Sequence, residues 1–423
     1  MKPSVRFKHF HSLFLKGILA TVLLGSQFAE AATIQKVIVS RQGIKGLSGI
    51  RMGSFGAPAI NDTGAVAVYA TIYGKGVDST TNAIIVLINR TNTARKIVQE
   101  GDSIRPGTSI GFFALGTAPV INNSRHTSWV GEYASIGGEF FIPALGNPNG
   151  SWTAYQGRNA ALNGFPAIAM NKRNATSLAA KMWDRSTSQY DLDAVFRLVL
   201  ASSTALAAAG ETPIGLPLGS VYNSFGNPTI DDKNNLYYVA DVSDAGNAFD
   251  GIWFGKNGDP NPLVIKGQSA PGTSSTYTTF SDSPSPSPNG SVCAFAASAG
   301  GANNGIWLVT TSTKEITSVV TTSTPVNGTT ETVTNIQPPA VNNNGQVAFL
   351  ATSNVTGKTG IYGWNGSKLE KVVAPGDVVN IDGKDKNVID IRFNPMRALN
   401  AKGQVVFTAS FDDRTSGVFA ASL

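Results

Sequence analysis

Apolar and polar residues alternate along this chain in short runs, and each run is bounded by Gly, Asn, Asp or Pro. A period of two places one apolar face on a strand, so the pattern predicts many short strands joined by tight turns. One such unit recurs. Pro339-Ala340-Val341-Asn342-Asn343-Asn344-Gly345-Gln346-Val347-Ala348-Phe349 returns nearly intact as Arg397-Ala398-Leu399-Asn400-Ala401-Lys402-Gly403-Gln404-Val405-Val406-Phe407. An earlier copy starts at Pro58, and weaker copies start at Pro119, Pro166, Pro228 and Pro284. With the Asn-equivalent as marker, the copies fall at Asn61, Asn122, Asn171, Asp231, Ser287, Asn342 and Asn400, a spacing of about 56 residues.

Within a unit, the Asn-x-x-Gly turn joins two strands: Asn accepts hydrogen bonds from the turn backbone, and Gly supplies the left-handed conformation. A third strand follows a variable connection, as in Gly251-Ile252-Trp253, Gly305-Ile306-Trp307, Gly360-Ile361-Tyr362 and Gly417-Val418-Phe419. A fourth, such as Leu369 to Val373, ends in a Gly-acid turn. Variants of that turn are Glu100-Gly101-Asp102 with Pro106-Gly107, Gly210-Glu211, Gly267-Gln268 and Gly376-Asp377. Four antiparallel strands in seven copies predict an all-β, seven-bladed β-propeller. The segment Thr33 to Gly43 reads as a fourth strand with its turn, whereas the chain stops after a third strand at Gly417 to Ala421. The N-terminal strand is therefore expected to complete the last blade and close the ring, which leaves no open sheet edge. Residues 32–423 are expected to form one propeller domain, although length alone suggests two or three domains.

Composition agrees with a turn-rich β-protein. Gly accounts for 45 of 423 residues, and only 14% of residues are charged. Residues 1–31 read as a secretory signal peptide, with Lys2, Arg6, Lys8 and Lys16 ahead of the apolar run Gly17 to Gly25 and an Ala29-Glu30-Ala31 cleavage site. That run is far short of the roughly 20 residues needed to span a bilayer, and no later stretch is longer. A soluble monomer is expected, exported to the periplasm or the extracellular space. Removing the segment takes away four basic residues and Glu30, so the formal charge falls from +6 to +3. The remaining cations form no cluster in sequence, which argues against a nucleic-acid partner. The single cysteine, Cys293, sits in an alternating strand and is expected in the core, so no internal disulfide can form.

The Asn-x-x-Gly-x-Val-x-Phe units, with their Gly-Ile-aromatic strands and Gly-Asp turns, resemble the bacterial exported Asn-x-x-Gly…Phe tandem-repeat, variable-anchor proteins. The resemblance spans nearly the whole chain after the signal and is most specific from Pro228 onward. It implies an envelope or secreted propeller and no established reaction. No C-terminal anchor of the kind common in such proteins is expected here.

Catalytic parts are few. His126 is the one histidine outside the signal and lies in the turn after Asn122, where a solvated position is expected. His/Cys zinc sites and Ser-His-Asp or Cys-His catalysis therefore lack members. No phosphate-binding loop, dinucleotide fingerprint or nucleophile elbow appears in a strand–helix context. Carboxylates remain. Fourth-to-first connections and second-to-third loops emerge on one face of such a ring, which would gather Glu100, Asp102, Glu211 and Asp377, with Asp382 and Asp385 nearby. Converging carboxylates can hold Ca²⁺ weakly or serve as acid and base on a glycan, whereas acids recurring with the repeat can equally serve its turns. Trp253 and Trp307 occupy equivalent packing positions, while Trp129, Trp152 and Trp183 fall in divergent units and can stack on sugars if exposed. The residues carry two readings. One is a binding scaffold for a glycan, a cell-surface component or a protein, using loops such as Tyr69–Asn82 and residues Glu100, Asp102, Glu211, Asp377 and Trp152. The other is a polysaccharide hydrolase or lyase using axial carboxylates.

Overall fold

In a computed structural model the described residues run from 33 to 423, except 105–109, 136–137, 156–159, 163–165, 185–186, 188, 200–201, 245–246, 257–259 and 302–303. The expected signal peptide and Pro106-Gly107 lie outside them. Every regular element among the described residues is a strand, and the strands form seven antiparallel sheets. These are the blades of a seven-bladed β-propeller. Blade 1 runs Leu47–Phe55, Val66–Gly74, Ala83–Ile88 and Ala94–Gln99 from inner to outer strand. Blade 4 runs Val221–Phe225, Leu236–Asp244, Gly251–Gly255 and Asn261–Ile265. Blade 7 takes Lys384–Arg392, Gln404–Phe411 and Ser416–Ser422 from the end of the chain. Its outermost strand is Ile34–Val39, paired antiparallel with Ser416–Ser422 from Ile34↔Ala421 to Val39↔Gly417.

Inner strands are interrupted. In blade 1, Leu47–Phe55 and the short Ala59–Ile60 both pair with Val66–Gly74, and the break falls at Gly56-Ala57-Pro58. Proline has no N–H to give to a ladder, so it sits in the gap. The same split occurs in blades 2 to 6. The short second pieces contact one another from blade to blade, and Ala59–Ile60 also touches Gln404–Phe411 of blade 7.

The repeat's marker residues explain this contact. Asn61, Asn122, Asn171, Asp231, Ser287, Asn342 and Asn400 are each at most 2% exposed. Asn61 Oδ1 accepts the N–H groups of Thr63 at 3.0 Å and Ala65 at 2.9 Å, which pins its own turn. Its Nδ2 donates to the carbonyl of Asn122 in the next blade at 2.9 Å. Asn122 donates likewise to Asn171 (3.1 Å), Asn171 to Asp231 (2.9 Å), Asn342 to Asn400 (3.0 Å) and Asn400 to Asn61 (3.2 Å). Asp231 and Ser287 have no amide, and other bonds bridge their blades: Asp232 N to the Pro288 carbonyl at 2.8 Å, and Asn289 N to Asn343 Oδ1 at 2.9 Å. The side chain predicted to cap a hairpin thus also binds each blade to its neighbour.

Glycine opens the Gly-Ile-aromatic strand for a different reason. A Cβ on Gly305 would lie 2.6 Å from the Val320 carbonyl oxygen and 2.8 Å from the Trp307 ring. Gly251 and Gly417 are crowded in the same way by Trp253 and Phe419. The aromatic ring folds back over the glycine two residues earlier and fills the core beneath the outer strand; Trp253 and Trp307 are fully buried. Cys293 is also fully buried, and burial pushes its thiol pKa well up.

Candidate functional site

Antiparallel strand order divides the turns between two faces. First-to-second and third-to-fourth turns share one face. Second-to-third loops and fourth-to-first connections share the other, where Gln99 Nε2 donates to the Thr81 carbonyl at 2.9 Å across two such segments. The acids singled out from the sequence lie on this second, loop-rich face. Asp102 Oδ2 accepts Gln99 N–H at 2.9 Å, Glu211 Oε2 accepts Ala208 N–H at 2.9 Å, and Asp377 Oδ2 accepts Ala374 N–H at 2.8 Å. Neutral groups do the same work elsewhere: Gln42 Oε1 takes Val39 N–H, Gln268 Oε1 takes Ile265 N–H and Thr324 Oγ1 takes Thr321 N–H, between 2.9 and 3.1 Å. Geometry at this position therefore calls for an acceptor, not a charge. Asp102 and Asp377 also pair with Lys96 (2.8 Å) and Lys371 (2.7 Å) of their own outer strands. These pairs are partly exposed and each contributes little.

Glu100 differs. It is 8% exposed, its Oε2 accepts Ala83 N–H at 3.0 Å, and burial raises its pKa against the pull of that bond. Among the described residues no hydrogen bond joins any two of Glu100, Asp102, Glu211 and Asp377. No group of three or more His, Cys, Asp or Glu side chains there is placed to hold a metal ion. Asp382 Oδ2 pairs with Lys36 Nζ at 2.5 Å, and Asp385 Oδ1 accepts Asn380 Nδ2 at 2.6 Å across the hairpin of Val378–Ile381 and Lys384–Arg392.

Trp152 lies on the outer strand Trp152–Ala154 of blade 2, its ring 5.0 Å from Phe112 and 6.0 Å from Trp129. It is half-buried, whereas Trp129 is 1% exposed and offers no face to a ligand. His126 is half-buried rather than solvated. Burial lowers its pKa, opposed by a hydrogen bond that its ring donates to the Asn147 side chain. The expected Tyr69–Asn82 loop is shorter than its bounds, because the strand continues to Gly74. Its tip is held by Asp78, which accepts from Thr80 and Thr81, and those bonds lower the Asp78 pKa.

A different arrangement stands out between blades 4 and 5. There a cleft of about 370 Å³ is lined by Phe225, Asn227, Asp241, Asp250, Phe280 and Asp282, among others. The inner strands approach so closely that a Cβ on Gly226 would meet the Asp282 carbonyl oxygen at 2.4 Å. Phe225 is supported from behind by Tyr222 (5.2 Å) and Tyr238 (5.6 Å), and Phe280 by Tyr277 (5.6 Å) and Phe295 (6.0 Å). Asp241 and Asp282 are exposed, and Asp250 Oδ2 lies 3.6 Å from Lys266 Nζ. Two rigidly backed rings beside three carboxylates and an amide can pack on a sugar ring's apolar face while accepting its hydroxyl hydrogens. Sequence reasoning passed these residues by because none belongs to the repeat motif. The signal available was Asp241 within the second strand of blade 4, at a position where blade 1 carries Thr71 and blade 5 Ser298.

The description of a family of unknown function, DUF7453, matches residues 19–158 and 149–423. The chain belongs to that family. No functionally curated protein matches it in sequence. Among solved structures, it is similar to the β-propeller domain of the Trilobed protease from Pyrococcus furiosus, at 10% identity and a TM-score of 0.49, over 88% of this chain and 95% of that one. It is also similar to an oligogalacturonate lyase in complex with manganese, at 10% identity and a TM-score of 0.48, over 93% and 98% of the two chains. An ulvan lyase of a new polysaccharide lyase family has 11% identity and a TM-score of 0.43, over 87% and 94%. No helix of the described residues of this DUF7453 protein is long and apolar enough to cross a membrane.

Proposed function

We propose that this DUF7453 protein is an exported binding scaffold whose loop-rich face takes a neutral or amino-bearing glycan, with the cleft between blades 4 and 5 as its site. The observation that carries this reading is the cleft itself, in which Phe225 and Phe280 stand beside Asp241, Asp250 and Asp282. The acids of the repeat are taken up by their own turns, which favours binding over hydrolysis or lysis by axial carboxylates. The cleft's carboxylates disfavour an acidic ligand. Export rests on the signal-like residues 1–31 and on the resemblance to exported tandem-repeat proteins.

Calorimetry of the purified mature chain against neutral and amino-bearing oligosaccharides tests this reading. Saturable binding is expected, weakened by Phe280→Ala and by the pair Asp241→Asn and Asp282→Asn. Each ring packed on a sugar is worth on the order of 1 kcal/mol. Shortened products accumulating during incubation would favour the hydrolase or lyase reading, and binding indifferent to these substitutions would exclude the cleft.

A further inference from the structure

The opposite face carries a charge pattern that the linear sequence conceals. Five cations project from its first-to-second turns: Arg125 in blade 2, Lys172 and Arg173 in blade 3, Lys233 in blade 4 and Lys402 in blade 7. All five are exposed. In sequence they are scattered over nearly 280 positions. The asparagine bonds bring the turns of blades 2, 3 and 4 into direct contact, since Asn122 donates to Asn171 and Asn171 to Asp231. Their cations therefore form one continuous arc. The backbone N–H groups of Arg173, Lys233 and Lys402 are bound to the marker side chains of their own turns, which anchors each residue at its root. Outer turns on the same face add Arg90, Lys314 and Lys368.

Acids on this face are spent internally or few. Asp62 accepts from Asn123 Nδ2 and from Ala401 N–H, and Asp232 accepts Lys172 N–H with its Nζ 3.5 Å away. Among the described residues of these turns, Glu315 is the one exposed acid. The loop-rich face is mixed: Glu211, Asp241, Asp282, Asp412 and Asp413 are exposed there, and so are Arg41, Lys75, Lys266, Lys358 and Arg414. A modest net charge of +3 after the signal thus hides one face whose turns carry almost only cations and another on which both signs mix.

We propose that the basic turn face binds an acidic polysaccharide, a carboxylated or sulfated chain laid across the arc from blade 2 to blade 4. Flexible lysines and arginines spread over a rigid disc suit a polymer of regularly spaced charges, through many weak contacts that release counterions. Two features set this partner apart from other polyanions. Of the large exposed apolar side chains, Tyr73, Phe140, Leu218 and Val355 belong to the loop-rich face. Val199, at the third-to-fourth turn of blade 3, is the one beside the basic turns among the described residues, so the basic face has little with which to insert into a lipid surface. The first-to-second turns of the arc offer no Phe, Tyr or Trp as a stacking platform for single-stranded nucleic acid, and the half-buried Trp152 and Trp364 beside outer turns lie in blades 2 and 6, too far apart to form one.

The test is equilibrium binding of the mature chain to polygalacturonate, with dextran, anionic phosphatidylglycerol vesicles and duplex DNA as comparators, between about 50 and 200 mM salt. Binding to polygalacturonate is expected at low salt and should weaken steeply as salt rises. The triple reversal Arg125→Glu, Arg173→Glu, Lys233→Glu should lower affinity by about ten-fold or more and flatten the salt dependence. The double reversal Lys75→Glu, Lys358→Glu on the loop-rich face should leave binding unchanged, as should the cleft substitution Phe280→Ala. Unaltered melting temperatures and circular dichroism confirm that both reversed variants remain folded. Three results would overturn the proposal: no binding at low salt, equal losses in the triple and the control, or tighter binding to vesicles or DNA than to the polyuronate. Each is independent of glycan binding in the blade 4–5 cleft, so the two proposals fail separately.

Discussion

At the scale of single residues, the marker asparagine performs two tasks with one amide. Its oxygen holds the hairpin that the sequence predicts, and its nitrogen reaches the next blade. Only the first task was legible, because a turn preference is local whereas the second donor's partner lies about 56 residues away. Asn342 allows a clear test. Its Oδ1 accepts from Asn344 N–H at 3.0 Å and Gln346 N–H at 3.1 Å, while its Nδ2 donates to Asn400 O, all at a site 1% exposed. Asn342→Ala leaves buried donors and an acceptor without partners, which should cost about 1–3 kcal/mol. Asn344→Ala, two residues on, removes a single exposed bond of 3.2 Å to Ala401 O and should cost only a few tenths. Urea unfolding of the two variants checks this contrast, and equal midpoints would show that the buried Asn342 amide carries no more weight than an exposed one. The Gly-acid turn teaches the converse lesson. Asp102, Glu211 and Asp377 drew notice as charges, yet Gln42, Gln268 and Thr324 make the same bond, so a repeated acid can mark geometry rather than chemistry.

At the scale of the strand, the Gly-Ile-aromatic motif announced a strand but not why glycine must begin it. The reason is three-dimensional: the aromatic two residues later lies flat over the glycine, and the neighbouring outer strand's carbonyl closes the remaining space. These glycines are not among those with positive φ, so backbone freedom is not what they supply. Gly305→Ala should therefore destabilise blade 5 by about 1–3 kcal/mol through overpacking against Val320 O and Trp307. Adding Trp307→Phe should recover part of that loss by withdrawing the outer ring atoms. A double-mutant cycle by thermal unfolding measures the coupling, and strict additivity would refute this account. Strand order and the alternation of buried and exposed positions were readable throughout because apolar periodicity is local. The interruption of each inner strand at residues such as Gly56 to Pro58 was not, since close approach between blades has no linear signature.

At the scale of the whole ring, the first and last described strands meet in the same geometry as an internal hairpin. Ile34 pairs with Ala421, so Thr33 and Leu423 sit where the third-to-fourth turn of blade 7 would be. The hydrophobic clusters span neighbouring blades, one of them joining Ile60 and Ile84 of blade 1 to Phe407 and Phe419 of blade 7. The seam thus resembles every other inter-blade contact, and the ring's stability should not depend on where the covalent chain is cut. A circular permutant tests this. Leu423 is joined to Thr33 through a two-residue Asn-Gly turn, and new termini open between Gly366 and Ser367, in an exposed third-to-fourth turn of blade 6. It should unfold in a single transition within a few degrees of the parent, because no buried contact is lost and a favoured hairpin replaces two free ends. Separate transitions for blades 6 and 7 would instead mean that the native placement of the strand Ile34–Val39 contributes something particular to closure. Because the permutant keeps every side chain of the cleft and of the basic arc, both surfaces should keep their affinities, and a loss at either one would tie that binding to the order of the chain.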